Sequence, residues 1–157
     1  MKRTLTFLVI LAMCFSFSGC VSSDLNATET GVESDMDLNL IVYRDLPEED
    51  NLYNIERLTI TYSWIDGYVE EIVMQYDCAT EEDAQGAYDS LLEDYGDSLK
   101  IDGKRVTYNE DTAVWKYTKY EEVRNNYISK RWNIIDDEKY IMAMSTTEAT
   151  EASDVTQ

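Results

Sequence analysis

One amphipathic helix near the middle of the chain constrains the fold more than any other feature. Its apolar residues recur at helical spacing and are Ala84, Ala87, Tyr88, Leu91, Leu92 and Tyr95. They form one stripe on a 3.6-residue helix. Thr80 and Asp83 are typical of its N-terminal cap, and Gly96 can adopt the left-handed conformation that ends a helix. Because a lone helix of this length is marginal in water, the stripe must pack against a sheet.

A β-hairpin is predicted just before this helix. In residues 58–64, apolar side chains alternate with Thr and Ser, which is typical of a strand with one buried face. A two-residue turn at Asp66-Gly67 would direct Ile72 and Met74 to the wet face, because a slip of one residue reverses every side chain. We therefore expect a three-residue loop, Ile65-Asp66-Gly67, with Gly67 left-handed. It would pair Trp64 with Tyr68, Ile60 with Ile72 and Leu58 with Met74.

Strand-like segments on either side complete the predicted fold. Residues 38–43 form a first strand, and two more hairpins join 105–108 to 113–120 and 128–135 to 139–145. The side chains expected to face the core are Val106, Tyr108, Trp115, Tyr117, Ile128, Trp132 and Ile134. The fold class is therefore α+β. An antiparallel sheet, built as a hairpin, one helix and then about four strands, carries a single amphipathic helix on one face.

Composition narrows the possible functions. The formal net charge is −19, which argues against a nucleic-acid partner because Lys and Arg must neutralise phosphates. The chain has no histidine, which removes the usual general base and the usual metal ligand. Cys78 precedes the helix cap, and we interpret it as a small buried residue rather than a reactive thiol. We expect no enzymatic activity, no cofactor and no metal site.

The abundance of acids leaves two alternatives open. Paired carboxylates are sufficient for a glycosidase, and 32 acids bring some pairs together by chance, so a small envelope hydrolase is the alternative function. Four acids also fall within residues 45–51, beside the only proline, which raises the hypothesis of a cation site. Their spacing does not fit an EF-hand loop.

The first twenty residues carry a targeting pattern. Met1-Lys2-Arg3 precedes an apolar run, residues 5–17, that is too short to span a membrane. The residues Phe17-Ser18-Gly19-Cys20 resemble the lipobox of bacterial lipoproteins. The resemblance implies cleavage before Cys20 and a diacylglyceryl lipid on Cys20, which would anchor the domain on the extracytoplasmic side of the cell membrane. Cleavage by an ordinary signal peptidase, for example after Ser18, is the alternative.

These patterns divide the chain into four parts. They are a signal peptide (1–19), a disordered acidic tether (20–37), the α+β domain (38–145) and a disordered tail (146–157). The tether is rich in Ser, Thr, Asp and Glu and holds no aromatic residue, a composition that cannot bury enough apolar surface to fold. It would hold the domain away from the membrane.

The predicted strands sort the charges onto two faces. Seven acids belong to the helix or its end and are Glu81, Glu82, Asp83, Asp89, Glu93, Asp94 and Asp97. The strand phase opposite the apolar one is rich in hydroxyls and holds Arg105, Lys116, Thr118 and Arg131. We expect these four residues to form a surface for a protein or polyanionic partner. Alternatively, the cations only offset neighbouring acids across the strands.

Replacing Cys20 tests the anchor. We expect Cys20→Ser to move the protein from the membrane fraction to the medium or periplasm, or to leave the precursor uncleaved, because no other residue of the pattern can accept the lipid. Fractionation and metabolic labelling with a fatty acid measure this. Fatty-acid label that remained on the Cys20→Ser protein would contradict the assignment.

Overall fold

A computed structural model describes residues 37–47, 51 and 53–142 of the chain. In chain order its elements are β1 (Leu38–Asp45), β2 (Ile55–Ile65), β3 (Tyr68–Cys78), α1 (Glu81–Tyr95), a 3-10 turn (Gly96–Ser98), β4 (Lys100–Asp102), β5 (Arg105–Asn109), α2 (Tyr120–Ser129) and β6 (Asn133–Ile135). Residues 138–142 are also helical. The strands form a six-stranded antiparallel sheet in the order β4-β5-β3-β2-β1-β6. The predicted α+β class is confirmed.

The turn of the central hairpin, β2–β3, differs from the prediction. Asp66 and Gly67 both have left-handed φ values, 51° and 79°, so the hairpin closes with a two-residue turn. Trp64 therefore pairs with Val69, and the predicted three-residue loop is wrong. The left-handed conformation of Gly67 is confirmed.

A β-bulge follows this turn and restores the expected core. The pair Trp64–Val69 is followed by Ser63–Glu71, so Glu70 is the extra residue of the bulge. Beyond it Tyr62 pairs with Ile72, Ile60 with Met74 and Leu58 with Tyr76, which replaces the predicted pairs. Ile72 and Met74 are buried, as expected. Tyr68 lies on the other phase and is exposed.

The predicted amphipathic helix is confirmed as α1. The Thr80 side chain accepts a hydrogen bond from the backbone N–H of Asp83, which satisfies one of the unpaired donors at the helix start. Gly96 ends the helix with a φ of 48°, and its N–H donates to the carbonyl of Leu92. Of the predicted stripe, Ala84, Ala87 and Leu91 are buried, Tyr88 and Tyr95 are half-buried, and Leu92 is exposed.

The second half of the domain departs most from the prediction. β5 pairs with β3 and, through the turn at 103–104, with β4. Residues 113–119 are a loop that leads into α2, which begins at Tyr120. Residues 139–142 are helical, so only β6 remains of the predicted third hairpin. Val106, Tyr108 and Trp115 are buried as expected, Trp132 and Ile134 are half-buried, and Tyr117 and Ile128 are exposed. Two helices, α1 and α2, thus cover the sheet where one was predicted.

Both helices pack on the same face of the sheet through aromatic side chains. Tyr95 of α1 lies against Tyr108 of β5, with ring centroids 3.8 Å apart. Tyr120 of α2 lies 5.1 Å from Trp64 of β2 by the same measure. Farther along α2, the hydroxyl of Tyr127 lies 2.9 Å from that of Tyr62. Most aromatic residues near the helices are therefore used in the core, where large rings bury much apolar area.

Several predictions concern residues outside the described part of the chain. These are the signal peptide, the lipobox, nearly all of the tether and the tail, together with residues 48–50 of the acidic loop and 143–145 of the last predicted strand.

The hairpin turn gives a direct test of the left-handed conformation of Gly67. We expect Gly67→Val to lower the free energy of unfolding by more than about 1 kcal/mol, because a β-branched residue resists a positive φ. Asp66→Asn is the control, since Asn suits the same turn and should change stability by less than about 0.5 kcal/mol. Urea denaturation measures both. An unchanged midpoint for Gly67→Val would contradict the turn.

Candidate functional site

The face of the sheet opposite α1 and α2 is the first candidate surface of the domain. Its side chains belong to the alternate phase of every strand, and among the described residues none of them is buried. We call this surface the open face. The strand register aligns its side chains into rows that cross the sheet.

One of these rows alternates in charge across five strands. It runs through Asp102, Arg105, Asp77, Arg57 and Asp45 on β4, β5, β3, β2 and β1. Nε of Arg105 lies 2.7 Å from Oδ1 of Asp77, and Nε of Arg57 lies 2.7 Å from Oδ1 of Asp45. The hydrogen bond that Arg57 donates to the Asp45 carboxylate is the main reason that the pKa of Arg57 is raised. We call this set the charged row. Opposite charges across neighbouring strands stabilise their pairing.

The next two rows are polar and then partly apolar. The first holds Lys100, Thr107, Gln75, Thr59, Tyr43 and Asn133, and the second holds Asn109, Val73, Thr61, Ile41 and Ile135. Arg57 also stacks over Tyr43, its guanidinium carbon 4.6 Å from the ring centroid. The predicted hydroxyl-rich face is thus confirmed for Thr59, Thr61 and Thr107.

The four residues predicted to form a binding surface do not lie together. Arg105 is on β5 and forms an ion pair with Asp77. This agrees with the alternative prediction, in which the cations offset neighbouring acids across the strands. Lys116 and Thr118 are in the loop before α2, and Arg131 follows α2 with a left-handed φ of 60°. The predicted placement of Lys116, Thr118 and Arg131 on strands is wrong. β5 and β6 are four strand spacings apart in the sheet order, or about 19 Å. Binding by these residues stays a prediction.

Cys78 belongs to the core at the end of β3. Its side chain is 2% exposed, and its backbone N–H donates to the carbonyl of Lys104. Burial, followed by the charges of Asp83 and Asp77, raises the pKa of the thiol to about 11. A thiol with such a pKa is protonated at neutral pH and is a poor nucleophile. The interpretation as a small buried residue is confirmed.

A small cavity lies beneath the loop that joins β5 to α2. It has a volume of about 10 Å³, enough for about one water molecule. Its lining is Ile60, Tyr62, Ile72, Met74, Glu110, Trp115 and Tyr127. Oε2 of Glu110 is buried and accepts no hydrogen bond from the described residues. Burial, and next the charge of Asp111, raises the pKa of Glu110. Of the described carboxylates, Glu110 is the one that the fold shields in this way.

A second exposed surface, at the hairpin tip, was missed by sequence reasoning. It consists of Ile65, Tyr68, Val114 and Tyr117, which we call the tip patch. The rings of Tyr68 and Tyr117 lie 5.7 Å apart, and Nζ of Lys116 lies 5.9 Å from the Tyr68 ring. The alternating pattern had placed both tyrosines inward. The neighbours of Tyr117, Lys116 and Lys119, were the available signal for an exposed segment.

The loop that joins β5 to α2 is attached to the hairpin tip by two hydrogen bonds. The N–H of Val69 donates to the carbonyl of Lys116 at 3.1 Å, so the loop continues the sheet beside β3 past the end of β5. Nε1 of Trp64 donates to the carbonyl of Thr118 at 2.9 Å. The tip patch is therefore a fixed feature of the fold rather than a loose loop.

Among the described residues, no group of three or more His, Cys, Asp or Glu residues is arranged to hold a metal ion. Three of the acidic residues in the proposed cation loop, 48–50, lie outside those residues, so that hypothesis stays open. Within the same part of the chain, no helix combines the length and apolar character needed to cross a membrane.

No family model, curated protein or solved structure matches this chain.

Removing the shielded carboxylate tests the cavity. Between pH 4.5, its ordinary pKa, and its raised folded pKa, Glu110 holds a proton in the folded chain but not in the unfolded one. Stability attributable to Glu110 is therefore lost as the pH rises through this window. We expect Glu110→Gln to be more stable than the unmodified protein at pH 7, with the gain shrinking towards pH 4. Urea midpoints at both pH values measure it.

Glu93→Gln on the exposed side of α1 is the matched control, because it removes one negative charge from the same protein. An equal gain in both variants would assign the effect to net charge rather than to burial of Glu110.

Proposed function

We propose that this chain is a lipid-anchored lipoprotein of the cell envelope and that its α+β domain is a non-enzymatic binding module. The lipid on Cys20 tethers it to the membrane, and the open face of the sheet receives a partner protein on the extracytoplasmic side. The observation that carries the proposal is the open face itself. It is a sheet surface that α1 and α2 leave uncovered and that holds an ordered pattern of charge.

The chemistry of the open face favours a protein partner. Its middle rows mix half-buried hydroxyls with Ile41, Tyr43 and Val73, which offer both hydrogen bonds and apolar contact. Its arginines already bond to aspartates, so a polyanion would have to displace those carboxylates. A protein surface with its own alternating charges can match the row without breaking these pairs. Such complementarity contributes mainly to orientation and specificity.

The anchoring part of the proposal rests on the sequence. The basic start, the short apolar run and Phe17-Ser18-Gly19-Cys20 follow each other in the order that a lipoprotein signal requires. Two acyl chains on one cysteine are sufficient for stable attachment without any protein segment in the bilayer. The strongly acidic domain would otherwise be repelled by anionic membrane surfaces.

A small envelope hydrolase is the second candidate, and Glu110 is the observation that favours it. A carboxyl with a raised pKa suits a general acid. Glycoside hydrolysis also needs a second carboxylate about 5–10 Å away and space for a sugar ring between them. The cavity beside Glu110 holds about one water molecule, so a substrate would require the loop to move. The binding module is therefore preferred.

Site-specific photocrosslinking in cells tests the binding face. A photoreactive amino acid is placed at Thr59, in the middle of the open face, and at Ser90, on the exposed side of α1, as the matched control. We expect a discrete adduct from position 59 and none from position 90. Thr59→Lys should lower recovery of the adduct formed from position 107 on β5 about tenfold, which corresponds to about 1.4 kcal/mol of binding.

Two results would contradict the proposal. An adduct from position 90 alone would place the partner on α1. A hydrolytic activity of the purified protein that Glu110→Gln abolishes, with crosslinking unchanged, would favour the hydrolase.

A further inference from the structure

The tip patch exposes four large apolar side chains. Val114 is 86% exposed, Tyr117 78%, Ile65 50% and Tyr68 43%. These four residues lie in two segments, the hairpin tip and the loop before α2. The backbone N–H of Val69 and the indole N–H of Trp64 join the two segments by donating to carbonyls of the loop. Exposed apolar side chains that lie close together are typical of a surface that contacts a membrane or another protein.

The beginning of the folded domain lies at the same end of the sheet. Leu38, the first residue of β1, pairs with Trp64, which is next to Ile65 of the tip patch. Nζ of Lys139 donates to the carbonyl of Asp37 at this end. The chain segment that comes from Cys20 therefore enters the domain beside the hairpin tip. The opposite end of the sheet holds the turn at 103–104 and the start of α1.

We propose that the tip patch is seated in the interfacial layer of the membrane to which the chain is anchored. The proposal rests on the lipid anchoring proposed above. It adds an orientation: the hairpin tip faces the bilayer and the 103–104 turn points away from it.

The chemistry of the tip patch suits a membrane interface. Tyrosine rings have an apolar body and a polar hydroxyl, and they are enriched where hydrocarbon meets headgroups. Residues 112–119 include Lys116 and Lys119 but no acid, and residues 65–68 of the hairpin tip hold one acid, the exposed Asp66. The two segments of the tip patch therefore carry more cations than acids, in a protein whose net charge is −19. Lysine side chains can extend their ammonium groups to lipid phosphates while their methylenes remain in the apolar layer. The seven acids of α1 and its end would be repelled by an anionic surface, which disfavours that face as the one that meets the bilayer.

The tether makes even a weak contact sufficient. Seventeen residues, 21–37, separate Cys20 from Leu38, and they reach at most about 60 Å when fully extended. A short linker of this kind gives an effective concentration in the millimolar range. Seating of the tip patch therefore needs only millimolar affinity for the interface.

A fluorescent probe on the lipidated protein tests the orientation. Val114→Cys and, at the far end, Lys104→Cys are expressed from the full precursor, labelled with an environment-sensitive dye and reconstituted in phosphatidylcholine vesicles. Position 104 is exposed, as is position 114, so neither change disturbs the core. The unmodified protein should take up no dye, because Cys20 carries lipid and Cys78 is buried. We expect nitroxide-labelled acyl chains to quench the dye at 114 and not at 104.

A second substitution separates the patch from the anchor. With the dye at 114, Tyr117→Ser should reduce the quenching, whereas Leu92→Ser, an exposed apolar residue of α1, should leave it unchanged. Each protein is also tested for flotation with the vesicles, which reports the anchor alone.

The possible failures can be told apart. If the protein does not float and its Cys20 takes up dye, the anchoring proposal is wrong and the seating falls with it. If the protein floats but positions 114 and 104 behave alike, the anchor stands and the seating is wrong. If the dye at 114 is shielded only as protein concentration rises, without quenching by labelled lipid, the patch meets a second copy of the chain and the proposal is overturned.

Discussion

The bulge at Glu70 decides which side chains of the domain reach the core. With the two-residue turn alone, Ile72 and Met74 would point away from α1 and α2, because side chains alternate strictly along a strand. The extra residue shifts the phase of β3, so that Val69 on one side of it and Ile72 on the other are both buried. β1 and β5 pair with the outer edges of this hairpin, so their buried side chains depend on the same register.

The same register creates the charged row on the open face. Each exposed ion pair contributes at most about 1 kcal/mol, and the pairs of Arg57 and Arg105 are partly exposed. Their contribution to the stability of the fold is therefore small. A slip of β3 by one residue would turn Asp77 away from both arginines, and the alternation would disappear. The row is a property of five correctly aligned strands, with α1 and its acids on the opposite side.

Sequence periodicity predicted the elements whose pattern is unambiguous. The α1 helix, the Thr80 cap and the α+β class follow from local spacing and are confirmed, and Ala84, Ala87 and Leu91 of the predicted stripe are buried. The second helix was missed because Tyr, Ile and Val favour strands, although Tyr120, Val123 and Tyr127 are spaced 3 and 4 apart and are all buried. The charged row could not be predicted, since it depends on the bulge and on partners as distant as Asp45 and Asp102. The position of Arg105 on the open face was predicted correctly, because the alternation of buried and exposed residues that places it lies within the single short strand β5.

The two proposed surfaces constrain each other through the direction of the strands. If the tip patch meets the bilayer, β2 and β3 extend away from the membrane. The open face is then directed parallel to the membrane surface. Nine residue steps separate Tyr68 from Asp77 along β3, which corresponds to about 30 Å. The Debye length at physiological ionic strength is only about 8 Å, so headgroup charges are screened before they reach the charged row. A partner protein anchored in or moving along the same membrane would then meet the row in an environment that the lipid charge does not alter. Lipid charge would then make no contribution to the specificity of the open face.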